Sequence, residues 1–337
     1  MENPKTVIVI GVSAGGVEVL TALVRDLPTD LDAAILIVLH ISAQAPSLLA
    51  RILARAGPLP VTQAVDGEPL RSGHIYVPQP DNHVIVEQGF IRVVHGPREN
   101  RHRPSIDVLF RTAARAYGSR VIGVVLTGAL DDGTAGLLAV KRAGGLTVVQ
   151  NPDEAMYPSM PRSAIAHVAV DYVVLVADMT DLLVRLVREM PASELPTKPV
   201  LIATPTSQME GEMIQEHDLA GNPSAYSCPE CHGVLWEIED DQLTRYRCRV
   251  GHAFSPESML AQQSDALEDA LWSALKTLEE SASLSRRLVA QSTERGHPLM
   301  AGRFKEKAQT AERHALLIRQ VLLTQETNVP DLDAISV

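Results

Sequence analysis

Several things are scarce in this chain, and each scarcity removes a class of protein. Aromatic residues make up only 4 % of the 337 residues, against 45 % hydrophobic overall, so a sizeable core has to be built from aliphatic side chains. No uncharged apolar run reaches the roughly 18 residues that a membrane span needs. The start, MENPKTVIV, moves straight into a strand-like run without a charged-then-apolar leader, which predicts a cytoplasmic protein. Positive charge is in deficit: the formal net charge is −11, which argues against nonspecific nucleic-acid binding. The deficit is uneven, with about −2 in residues 1–190 and about −9 in residues 191–337, so the two parts read as different modules. Cysteine is nearly absent. The three that exist, Cys228, Cys231 and Cys248, are odd in number and lie beside histidines, which suggests a metal site in a reducing compartment and not a disulfide framework. No internal repeat is found.

What is present falls into segments. Residues 1–190 alternate strand-like runs (7–10, 34–39, 74–77, 83–86, 122–126, 147–149 and 172–176) with amphipathic stretches at 17–25, 47–56, 106–117 and 134–143. This rhythm predicts an α/β fold with a doubly wound, mostly parallel sheet. The runs at 74–77 and 83–86 are separated by turn residues (PQPDN) and read as a local antiparallel hairpin. Residues 191–223 hold five prolines and little periodicity, and read as a linker. A compact cysteine segment, 224–256, precedes two helical runs over 257–327 and a tail, 328–337. Phe304, Ala308, Ala311, Ala315, Ile318 and Leu322 keep 4-3-4-3-4 spacing, and Leu267, Leu271, Ala274 and Leu278 do the same upstream. Such seams predict an antiparallel helical hairpin.

The first strand-like run ends in VIVIGVSAGG, residues 7–16. A dinucleotide loop would need glycine where Ser13 stands, and an acidic residue where His40 closes the second strand; no G-K-[ST] follows either. The same residues do match G-x-S-x-G, a strand-to-helix turn that exposes a serine hydroxyl. The following helix starts near Gly15, so free N–H groups around Ala14, Gly15 and Gly16 could then stabilise a developing oxyanion. A serine that merely caps the helix is the simpler alternative. His40 ends the second strand, and the strand at 122–126 runs into TGALDDG with Asp131 and Asp132. Carboxyl ends of parallel strands gather at one crevice, so a nucleophile, a base and an acid converge there. Spacing alone does not separate Asp131 from Asp132.

Six ordered blocks resemble the CheB-type protein-glutamate methylesterases: IGVSAGGVEVL (10–20), LHIS (39–42), GHIYVPQPDNHV (73–84), NRHRPSIDVLF (100–110), LTGALDDGTAGL (126–137) and MPRSAI (160–165). The resemblance covers roughly residues 5–188. It implies a Ser-His-Asp esterase that hydrolyses glutamate 5-methyl esters on chemoreceptor helices or a similar signalling protein, with glutamine deamidation as a side activity. It puts the nucleophile on Ser13, the base on His40 and the orienting acid on Asp132, and no cofactor in catalysis. Ala14 and Ala129 depart from the family's common threonine and methionine, and the resemblance places the turn around Ala129 beside the oxyanion, where its backbone N–H would be a further donor. The family's common upstream receiver domain has no counterpart before the first strand, which predicts control by other means. Arg98, Arg101 and Arg103 are candidates for docking acidic substrate, with solvated or structural arginines as the alternative.

The cysteine segment spaces its candidates as C-x2-C, sixteen residues, then C-x3-H. Cys228, Cys231, Cys248 and His252 therefore predict a closed, structural Zn²⁺ site in a zinc-ribbon-like module, with strands at 235–239 and 245–247. His232 adjoins Cys231 and is the less suitable fourth ligand. A folded ribbon and helical hairpin suggest a site for a regulatory partner. Two functional readings follow: an active esterase, or a catalytically weak signalling adaptor that binds acidic or methylated helices.

Overall fold

The computed structural model describes residues 4–40, 48–190, 221–240 and 243–327. They form two compact units, Met1–Met259 and Leu260–Val337.

The first unit is built on a seven-stranded parallel sheet of order β3-β4-β2-β1-β7-β8-β9. Its strands are β1 (Thr6–Val12), β2 (Ala33–Leu39), β3 (Val61–Gln63), β4 (His74–Val77), β7 (Val121–Val125), β8 (Leu146–Gln150) and β9 (Tyr172–Val174). TVIVIGV and AAILIVL are buried along their whole length, as strands covered on both faces must be. Alternation sorts them: Val7 and Val9 enter one core, Ile8, Ile10 and Val12 the other. The first core is closed by α3 (Ile106–Tyr117), α4 (Thr134–Arg142) and α5 (Ser159–His167). The second is closed by α1 (Gly16–Arg25), α2 (Leu49–Ala56) and α6 (Val176–Glu189). The doubly wound sheet expected from the sequence is therefore present.

The expected hairpin over residues 74–86 is not formed. β4 lies in the parallel sheet beside β2 and β3, while β5 (His83–Glu87) pairs antiparallel with β6 (Phe90–Val94) in a separate two-stranded sheet. β4 is buried at Ile75, Tyr76 and Val77, and only the main sheet offers it a partner on each side.

The ribbon is a four-stranded antiparallel sheet, β10 (Asn222–Ser227), β11 (Val234–Asp240), β12 (Leu243–Cys248) and β13 (Ala253–Phe254). It begins inside the expected linker, and it belongs to the same compact unit as the parallel sheet. The rest of the linker, 191–220, the tail, 328–337, and Ile41 and Ser42 of the LHIS block lie outside the described residues. After β13 come α7 (Pro256–Glu294) and α8 (Pro298–Thr327). Within the second unit these run antiparallel, with Leu275, Ala315 and Leu322 buried together and Arg286–Glu312 and Arg319–Glu279 paired across them. Every residue of the expected α8 seam is buried or half-buried; in the α7 seam Leu271, Ala274 and Leu278 are half-buried, Leu267 is exposed, and Leu275 and Ala282 take the fully buried places.

Candidate active site

The sheet reverses its direction of growth between β1 and β7, and crevices form where neighbouring parallel strands send their chains apart. Ser13 follows β1, His40 follows β2, and Asp131 and Asp132 lie just beyond β7. Gly15 supplies the turn out of β1 with a φ of 72° as the residue capping α1. Gly128 permits close approach: a Cβ there would stand 2.8 Å from Ser13 Cβ and 2.1 Å from Met160 Sδ. Its N–H donates to Tyr157 O and its carbonyl accepts from Met160 N–H, which ties the loop after β7 to the start of α5.

The structure brings three side chains together. Ser13 Oγ lies 3.2 Å from His40 Nδ1, and His40 Nε2 lies 2.8 Å from Asp132 Oδ2. The imidazole and carboxylate are 5 % and 2 % exposed. The Asp131 carboxyl faces elsewhere and accepts from Ser255 Oγ at 2.8 Å. Geometry thus separates the two aspartates that spacing left open.

Asp132 is held at the N-terminus of α3. Its Oδ2 accepts from Ile106 N–H, and its Oδ1 from Asp107 N–H, Ser105 Oγ and Asn100 Nδ2, at 2.8–3.2 Å. A helix N-terminus is a natural seat for an anion. Burial acts to raise the Asp132 carboxyl, but the His40 hydrogen bond and charge, with His102 and Asn100, hold it well below the usual carboxylate range. Its neighbours move the other way. Burial, then the Asp132 charge, raises Asp107 to about 6, and burial raises Asp131 to about 8. Burial thus favours the neutral form of both neighbours, while the partners of Asp132 favour its charge. An ionised Asp132 accepts only, so His40 Nε2 carries the proton and Nδ1 is left to accept from Ser13 Oγ–H. His102 stacks on the imidazole, ring centroids 3.6 Å apart and 11° from parallel. Burial first, then the His40 charge, lowers His102 to about 3, so the stacked ring is neutral near pH 7.

Of the expected oxyanion donors, Gly16 is corrected: its N–H donates to Ser13 O, closing the turn. Among the described residues no hydrogen bond occupies the N–H groups of Ala14, Gly15 or Ala129. Arg103 is also corrected as a docking residue. Its guanidinium donates from Nε and Nη2 to Asp81 Oδ1 and from Nη1 to Gly96 O, and the side chain is 13 % exposed. Arg98 pairs with Glu230 at 3.5 Å, and Arg101 takes a left-handed backbone, φ 73°.

In the ribbon, the ligand atoms of Cys228, Cys231, Cys248 and His252 all lie within 4.8 Å of one another. Cys231–Cys248 Sγ atoms are 3.6 Å apart, and His252 Nδ1 is 3.7 Å from Cys228 Sγ and 3.5 Å from Cys248 Sγ. Zn–S and Zn–N bonds of about 2.3 and 2.0 Å at tetrahedral angles give edges of about 3.5–3.8 Å, so the four donors fit that ion. The sulfurs are too far apart for a disulfide. His232 instead donates its N–H to Cys228 O within the knuckle.

Sequence reasoning missed Ser105, Asp107, Asn100, Ser255 and Ser258. A serine directly before the apolar periodicity of α3 is a cap signal that could have flagged Ser105. Nothing local could link Asn100 to residues 155 and 158 positions away.

Comparison with known proteins gives a consistent picture. The sequence model of the CheB methylesterase family matches residues 8–183. A Leptospira interrogans protein, named provisionally as a protein-glutamate methylesterase/protein-glutamine glutaminase, is 43 % identical over 180 residues, 53 % of this chain and 93 % of that protein. A Bordetella bronchiseptica protein-glutamate methylesterase/protein-glutamine glutaminase is 41 % identical over 184 residues, 53 % of this chain and 52 % of its own length. The chain thus spans about half of the latter relative. The crystal structure of the Thermotoga maritima CheB methylesterase catalytic domain is matched over its whole length and 55 % of this chain, at a TM-score of 0.52 and 30 % identity.

Proposed function

This chain belongs to the CheB methylesterase family, and we propose that it is a serine esterase that hydrolyses glutamate 5-methyl esters on chemoreceptor helices and deamidates glutamine at the same site. The observation that carries the reading is the continuous line of hydrogen bonds from Ser13 through His40 to Asp132. Ser13 Oγ attacks the ester carbonyl while His40 Nδ1 takes its proton, and Asp132 stabilises the imidazolium through Nε2–H. The N–H groups of Ala14, Gly15 and Ala129 hold the oxyanion. His40 returns the proton to the leaving methanol, and water then cleaves the glutamyl-enzyme with His40 again as base. Substitution by alanine at residues 14 and 129 leaves backbone donors in place.

Arg98 and Arg101 are assigned to docking acidic segments of the receptor, and charge reversal at Arg101 is expected to raise KM with kcat unchanged. Cys228, Cys231, Cys248 and His252 are assigned to Zn²⁺, which as a closed four-ligand centre holds the ribbon together. The assigned domains are an esterase sheet (1–190), a ribbon from 222, and a helical hairpin to 327.

The test is methanol release from a methylated receptor cytoplasmic fragment by the unaltered chain and by Ser13→Ala. Release should fall by about 10⁴-fold or more in the variant. Equal release by both overturns Ser13 as nucleophile, and release by neither, with the protein folded, favours an adaptor.

A further inference from the structure

The geometry points to a role for the ribbon in the esterase itself: Ser258 and the Ser255 amide clamp Asn100, Asn100 anchors the Asp132 carboxylate, and filling the Cys228–Cys231–Cys248–His252 site thereby raises turnover. The inference rests on the reading of Ser13, His40 and Asp132 as the reacting groups.

The path is short and buried. His252 is followed at once by β13, where Ala253 N–H donates to Arg98 O and Ala253 O accepts from Asn100 N–H at 2.8 Å. Two residues further on, Ser255 N–H donates to Asn100 Oδ1 at 3.0 Å, and Ser258 Oγ donates to the same oxygen at 3.1 Å. On its other side the Asn100 amide donates from Nδ2 to Asp132 Oδ1 at 3.0 Å and to Asp107 Oδ2 at 2.9 Å. Asn100 is 6 % exposed and Ser258 fully buried. A primary amide has two donors and two acceptor positions, and all four are used here. Its orientation is therefore fixed, with the nitrogen towards the carboxylates and the oxygen towards the ribbon. Both groups that hold the oxygen follow directly on the ribbon, Ser255 between β13 and α7 and Ser258 in the first turn of α7, so without the ribbon to fix that turn the amide is free to turn away from Asp132.

Two further ties act in parallel. Ser255 Oγ donates to Asp131, the chain neighbour of Asp132. Glu99, 3 % exposed, accepts from Arg111 Nη2 with both oxygens at 2.7 and 2.9 Å, and Arg247 Nη2 stands 4.0 Å from it. Arg111 lies on α3, the helix whose first N–H groups bind Asp132. Arg247 immediately precedes the ligand Cys248. Both ends of the ribbon's second knuckle therefore lean on the support of the catalytic carboxylate, and the metal is what would fix that knuckle to the first.

Ser258→Ala in the full chain is the direct test, because it leaves the Ser255 cap of α7 and the four metal ligands intact. Three quantities are read: zinc per chain, kcat and KM for methanol release, and the downfield proton resonance of the His40 Nε2–H, assigned by its loss in His40→Ala. We expect unchanged zinc content and KM, kcat lower by about 10- to 100-fold, and a shifted or broadened resonance. Reversible removal of zinc from the unaltered chain should have the same effects, undone by returning the metal, and should add little in Ser258→Ala. Unchanged kcat and resonance in Ser258→Ala overturn the clamp, and full kcat in the chelated chain overturns its coupling to the metal. If Ser258→Ala fails to fold, removal and return of zinc decide alone. If no variant releases methanol, the esterase reading fails, while the resonance, which needs no substrate, still decides the clamp.

Discussion

Asp131 and Asp132 are chemically identical neighbours that the fold makes different. Asp132 faces two backbone N–H donors, Ser105, Asn100 and His40, all of which favour its charge. Asp131 faces one serine hydroxyl inside an otherwise dehydrating surround, and burial raises it to about 8. Two predictions follow from the contrast. Asp132→Asn should lower kcat by about 10⁴-fold, since the wrong imidazole tautomer then faces Ser13; steady-state methanol release measures it, and a loss under tenfold would contradict the role. Asp131→Asn should act on stability. A carboxyl whose folded value lies above its ordinary 3.8 stabilises the fold fully below about pH 4, and that contribution is lost as pH rises towards about 8. The unaltered chain should therefore lose stability relative to Asp131→Asn across that window, as read by urea unfolding at several pH values. Parallel profiles would show that Asp131 is not held protonated. The sequence offered both aspartates and no physical means to choose, because the distinction is made by His40, Asn100, the start of α3 and Ser255, which only the fold brings near.

Elements were legible where burial is complete and local. β1 and β2 show themselves as unbroken apolar runs ended by Ser13 and His40, and α3 by its periodicity after Ser105. Pairing was not legible. HIYV and HVIV carry the same alternation and flank a turn, yet one joins β2 and the other β6. Alternation records which side of a strand is buried and says nothing of which strand lies beside it. The helical hairpin shows the same limit: the α8 seam was read from spacing, and in α7 Leu271 and Leu278 pack as expected, but the buried place between them is Leu275 and not Ala274. That shift is testable. Leu275→Ala should destabilise the second unit by about 2–4 kcal/mol, whereas Leu267→Ala, at 51 % exposed, should stay within about 0.5 kcal/mol. Helix melting followed by circular dichroism distinguishes them, and equal losses would mean that Leu267 is covered in solution.

Over the whole molecule, charge and composition suggested a nearly neutral sheet domain followed by a separate acidic module. The compact unit instead runs to Met259 and takes in the ribbon. Part of the acidity is answered locally, since Glu230 and Asp240 of the ribbon pair with Arg98 and Arg142 of the sheet domain, and Arg247 lies against buried Glu99. Composition counts charges without saying which opposite charge each one meets, so a boundary drawn from it falls too early. The consequence concerns where the chain can be cut. A chain ending at Ala270 keeps the parallel sheet, the ribbon and the turn that carries Ser255 and Ser258, and should retain the melting temperature of the first unit and its methanol release within about twofold. A chain ending at Met190 strips Asn100 of both donors to its carbonyl and leaves the Glu99–Arg111 pair without Arg247. That shorter chain should melt lower and turn over at least tenfold more slowly, at a KM that tracks the docking arginines and not the clamp. Equal turnover by the two truncated chains would mean that the esterase stands alone and the ribbon is carried beside it. Loss in both would move the functional boundary into the helical hairpin.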